Sequence, residues 1–120
     1  MGHILIIEDD ALIRMSLSAV LTMEGHEVCT AENGLVALEY LRHNRPCLIL
    51  LDLMMPVMDG RSFRIHQLND TSLSSIPVVI MTGAHCSVDI AKDLQVNDLV
   101  VKPFGPERIY PIIEKHCGVF

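Results

Sequence analysis

Four short apolar runs in this chain end in residues able to do chemistry. ILIIEDD closes on Glu8, Asp9 and Asp10, CLILLD on Asp52, PVVIMT on Thr82 and LVVK on Lys102. Carboxylates held within a few ångströms repel one another, and one must keep a proton unless counter-charge is present. Lys102 supplies one positive charge. A hard divalent cation supplies the rest, and Mg²⁺ suits a site of one or two carboxylates with phosphate oxygens and water. Thr82, a neutral donor, and Lys102, a point charge, also suit a phosphoryl ligand. The reaction that uses all of these groups is phosphoryl transfer to a carboxylate. Asp52 is the nucleophile, while metal and Lys102 neutralise charge on the transferring group. Singly, Asp52 reads as a loop cap, Thr82 as a turn residue and Lys102 as a solvated lysine. Their joint placement at strand ends argues for a site.

That placement depends on the elements. Residues 3–7, 26–30, 47–51, 77–81 and 99–101 read as strands, and they are continuous rather than alternating in hydrophobicity, as strands buried on both faces are. Helical patterns lie between them. Ile13, Leu17, Val20 and Leu21 share one face of a first helix starting near Ala11, with Gly25 at its end and Arg14, Ser18 and Thr22 toward solvent. Asn33 can cap a second helix, which carries Ala37, Leu38 and Leu41 and stops before Pro46. Asp59-Gly60 leads into a helix over 61–68, a further one covers 88–94, and a last one carries Ile109, Ile112, Ile113 and Cys117. Alternation of strand and helix implies a five-stranded parallel α/β sandwich. In such sheets the ligand crevice lies outside the carboxyl ends of the strands, where the chemical residues fall.

Composition sets the bounds. At 120 residues the chain reads as one domain, 1–120, large enough to bury about two-thirds of its unfolded surface. Half the residues are apolar, with two Tyr, three Phe and no Trp, so the core must be aliphatic and the seven Met serve as filler. A net charge of −6 argues against a general nucleic-acid surface. No apolar run approaches the ~20 residues needed to cross a bilayer, so a cytoplasmic protein without membrane partners is expected. Cys29, Cys47, Cys86 and Cys117 lack metal-ligand spacing and read as reduced thiols. The six His show no i, i+4 pairing.

The stretches ILIIEDD, ENGLVAL, LILLDLMMPVMDG, PVVIMTG and LVVKPF resemble the receiver domain of bacterial two-component response regulators over essentially the whole chain. DLMMPVMDG with VKPF is a specific signature. The resemblance implies a flavodoxin-like doubly wound sheet of order 2-1-3-4-5, with five helices, two on one face and three on the other. It implies that Asp52 is the phosphoacceptor for a sensor histidine kinase or histidine phosphotransfer protein, and that phosphorylation alters binding to a downstream effector. Asp9 would ligate Mg²⁺ directly, Glu8 largely through water, and Met54 through its backbone carbonyl. Thr82 would bind a phosphoryl oxygen, Lys102 would bridge to Asp52, and Lys102–Pro103 would be cis. Asp10 is better placed as the N-cap of the first helix.

Departures from the family pattern cluster on the face that receivers use for output. Leu99 replaces the Tyr or Phe common three residues before the lysine, and the Thr82–Lys102 interval is shorter than usual. Gln95 stands where glycine is common, which predicts a helix end built without a left-handed residue. Pro111 lies inside the apolar pattern of the last helix. Either the helix runs from 106 and loses a backbone bond there, or it begins near Tyr110. The trimmed face favours a stand-alone or phosphorelay protein. An alternative, a phosphohydrolase acting through an aspartyl-phosphate, needs a second acid two residues after the nucleophile, where this chain has Met54. A phosphate-binding nucleotide module needs a glycine-rich first turn, where this chain has Glu8-Asp9-Asp10-Ala11.

Overall fold

The computed structural model describes residues 3–53, 58–83, 92–96, 98–102 and 104–118. Their elements run β1 (Ile4–Ile7), α1 (Ala11–Met23), β2 (Val28–Ala31), α2 (Gly34–Tyr40), β3 (Leu48–Asp52), α3 (Gly60–Asn69), β4 (Val78–Thr82), β5 (Asp98–Val101) and α4 (Pro106–Cys117). The strands form one parallel sheet in the order β2-β1-β3-β4-β5. The helix expected over 88–94, Met54 and the Lys102–Pro103 bond fall wholly or partly outside the described residues.

Strand side chains alternate between two aliphatic cores because successive Cβ atoms point to opposite faces. Leu5, Ile7, Ile49, Leu51 and Val78 pack with Ala37 of α2, with Leu41 at its C-cap and with Phe63 of α3. Ile4, Ile6, Leu48, Leu50, Val79, Met81 and Val100 pack with Leu17 and Leu21 of α1 and Ile109 and Ile113 of α4. Each such side chain contributes roughly 1.5–3 kcal/mol by leaving water. Both faces of the sheet are therefore covered, as the continuous apolar strands require.

Helix starts follow the sequence signals. Asp10 Oδ1 accepts from the Leu12 and Ile13 N–H groups at 2.9 and 3.2 Å, Asn33 Oδ1 from Val36 at 2.9 Å, and Asp59 Oδ1 from Ser62 at 2.8 Å. Gly25, at φ 93°, supplies the left-handed turn after α1. Helix α4 runs from residue 106 straight through Pro111. Pro111 is exposed, and its ring nitrogen cannot donate to the Glu107 carbonyl.

Two expectations are overturned. Gln95 does occupy the left-handed region, at φ 53°, the only non-glycine residue to do so among those described. Buried Arg64 on α3 stabilises it, donating to the carbonyl oxygens of Leu94 (2.8 Å) and Gln95 (2.7 Å). It also donates to Gln67 Oε1 at 2.7 Å, while Gln67 Nε2 donates to the Leu73 and Ile76 carbonyls. A tertiary clamp thus outweighs the local cost of a side chain at positive φ. The second correction concerns the thiols: Cys47 and Cys117 form a disulfide across 70 residues of sequence, with Cα atoms 5.4 Å apart. Linear spacing could not reveal it, because the fold alone brings the end of α4 beside the start of β3.

Candidate functional site

Parallel register assembles the site. Ile7 pairs with Leu51, so the next residues, Glu8 and Asp52, emerge side by side from β1 and β3. Asp52 pairs with Met81, which places Thr82 one step further along β4. Thr82 in turn pairs with Val101, and Lys102 follows, its N–H donating to the Thr82 carbonyl at 2.6 Å. Residues spread over most of the chain thereby meet at one edge.

Glu8, Asp52 and Thr82 are buried, whereas Asp9 is exposed and Lys102 partly so. One ligand oxygen from each of Glu8, Asp9 and Asp52 lies within 4.8 Å of the others. Lys102 Nζ donates to Glu8 Oε1 at 2.6 Å and stands 3.3 Å from Asp52 Oδ1. Burial, then the hydrogen bond with Asp52, push the Glu8 carboxyl up to about 8 against the pull of Lys102. Burial opposes the charge on Lys102, but the Glu8 hydrogen bond and the charges of Asp52 and Glu8 outweigh it and raise its pKa.

The cluster fits a hard cation. Among the described residues Glu8 Oε2 is buried with no hydrogen-bond partner, an oxygen that one ammonium cannot satisfy. Three carboxylate donors converge, and no soft ligand joins them among the described residues, which suits a hard cation such as Mg²⁺.

Two supports escaped the sequence reading. Arg14, expected on the solvent face of α1, folds back so that Nη1 donates to the carbonyl oxygens of Glu8 (2.8 Å) and Asp9 (3.4 Å). An arginine one turn into a helix that follows an acidic turn is a signal that could have found it. Gly60 is the second. A Cβ there would lie 2.4 Å from the Asp52 carbonyl oxygen, so only glycine lets α3 start this close to β3. Asp10 serves as the N-cap, as expected.

A doubly wound sheet of this order, with acids and a lysine at its carboxyl edge, defines a flavodoxin-like α/β signalling domain. The chain belongs to the response regulator receiver domain family, whose model matches residues 4–114. It is 38% identical over 108 residues to the probable transcriptional regulator ycf27 of Porphyra purpurea, covering 88% of this chain and 43% of that relative. It is 35% identical over 110 residues to the DNA-binding response regulator MtrA of Mycobacterium bovis, covering 89% and 46%. The chain thus spans less than half the length of these curated relatives. Chemotaxis protein CheY4 of Vibrio cholerae superposes with a TM-score of 0.87 at 28% identity, over 97% of this chain and 98% of that one. The receiver domain of a Pseudomonas aeruginosa sensor histidine kinase, solved with magnesium in its active-site cleft, gives 0.87 at 26% identity, over 98% of both chains. Response regulator TrrA of Thermotoga maritima, in complex with Mg²⁺ and BeF, gives 0.84 at 28% identity, over 96% and 98%. The domain is a phosphoacceptor switch of two-component signalling, a class that signals rather than turning over substrate.

Proposed function

We propose that Asp52 is the phosphoacceptor and that residues 1–120 form one receiver domain. The observation that carries this reading is the Asp52 carboxylate, buried at the end of β3, 3.3 Å from Lys102 Nζ and clustered with Glu8 and Asp9. One Asp52 oxygen attacks the phosphorus of a phosphohistidine on a sensor histidine kinase or phosphotransfer protein. The P–N bond breaks, and the imidazole leaves with its electron pair. Lys102 neutralises charge on the transferred group, and the Thr82 hydroxyl donates to one of its oxygens. Glu8, Asp9, Asp52 and the Met54 carbonyl would hold Mg²⁺, which when bound would offset carboxylate repulsion and phosphoryl charge.

The acyl phosphate then shifts a two-state equilibrium and changes affinity for a downstream effector protein or domain in the cytoplasm. The net charge of −6 makes a protein surface, rather than nucleic acid or membrane, the partner of this domain. Incubation with Mg²⁺ and acetyl phosphate should add one phosphoryl group to the intact mass of wild type and none to Asp52→Ala. Absence of the adduct in wild type, under conditions that label a control receiver, overturns the assignment.

A further inference from the structure

Cys47 immediately precedes β3, the strand that ends in Asp52, and Cys117 is the last residue of α4, the helix that follows Lys102. Their disulfide pins the last turn of α4 to the start of β3, the strand whose other end carries Asp52. Both cysteines are only partly buried, so a thiol reagent can reach them. Among the described residues, the contacts that hold this end of α4 besides the disulfide are few. Lys115 Nζ stands 3.5 Å from Asp98 Oδ2, but the lysine is well exposed and such a pair contributes little. Ile113 is the nearest fully buried residue, one turn back.

We propose that Cys47 and Cys117 form a reversible redox modification site that sets the freedom of the last turn of α4. In the cytoplasm, where the proposed function places this domain, the disulfides that do occur are usually catalytic or redox-sensing rather than structural. Opening the pair takes two electrons and two protons from a dithiol. Its thiolate attacks one sulfur, and the second cysteine leaves as a thiolate. The reductant's other thiol then attacks the mixed disulfide, closes its own disulfide and releases the first cysteine, and the two protein thiolates take up the two protons. A disulfide oxidant such as oxidised glutathione runs the sequence backward. Cys29, a free thiol, packs against the opposite core and is not part of the pair. The inference does not depend on which residue accepts phosphate.

The test uses the whole native chain, equilibrated with either dithiothreitol or oxidised glutathione and then quenched with N-ethylmaleimide. The reduced form should carry two more labels, located by peptide mapping at Cys47 and Cys117. Amide hydrogen exchange over 114–118 should be on the order of tenfold faster in the reduced form than in the disulfide form. Cys117→Ser should exchange at the fast rate whatever the redox buffer. Equal labelling in the two buffers, or equal exchange in two forms that do differ in labelling, overturns the proposal.

Discussion

Lys102 lies closer to Glu8 than to Asp52, with Nζ 2.6 Å from Glu8 Oε1 and 3.3 Å from Asp52 Oδ1. The lysine therefore leans toward the acid that burial makes hardest to ionise. Glu8 is held at about 8, well above the ordinary carboxylate value, so the metal-free folded state keeps a proton that the unfolded chain gives up. Metal-free stability consequently falls as pH rises from about 4.5 toward 8. Mg²⁺ must displace that proton, so its affinity should rise with pH across the same window, by at most about tenfold per unit. Calorimetry in buffers of different ionisation heat should show proton release on Mg²⁺ binding in wild type and its loss in Glu8→Gln.

Arg14 holds the backbone on which Glu8 and Asp9 sit. Arg14→Ala should weaken Mg²⁺ binding by about tenfold, the scale of losing a support behind metal ligands. Arg14→Lys should recover only part of that, since the shorter, strongly hydrated ammonium does not reproduce the reach and weak hydration of the guanidinium whose Nη1 meets both carbonyls. Thermal shift against Mg²⁺ concentration reads both.

Gly60→Ala should destabilise the fold by about 1–3 kcal/mol, because the added methyl meets Asp52 and Leu53 backbone rather than a flexible side chain. Urea denaturation measures the loss. Acetyl phosphate labelling of the folded fraction should also slow, as the strain falls on Asp52 itself.

Gln95→Gly should stabilise the protein by up to about 1 kcal/mol, relieving a left-handed glutamine while retaining the carbonyl that Arg64 grips. Arg64→Met should cost about 2–4 kcal/mol, because several buried acceptors lose their donor. Urea midpoints compared across the two variants give both numbers.

Much of this arrangement could be read in advance, since it is written locally. Each strand is a short apolar run, and each chemical residue marks the point where the run stops. Parallel register then does the rest. Asp10 and Asn33 declared themselves as caps because capping depends on neighbours within three residues. Arg64, the Cys47–Cys117 bond and the inward turn of Arg14 did not, because each depends on what the fold brings near from elsewhere. Gln95 misled for the same reason: intrinsic preference argued against positive φ, and a guanidinium on another helix overrode it.

The register of β4 with β5 has an evolutionary consequence. Thr82 and Lys102 are fixed by pairing with their neighbours, and the length of chain between them does not set their separation. Residues can be lost from or added to that interval without disturbing the site. A lineage can therefore remodel what the domain says to its partners while leaving untouched the chemistry by which it is told.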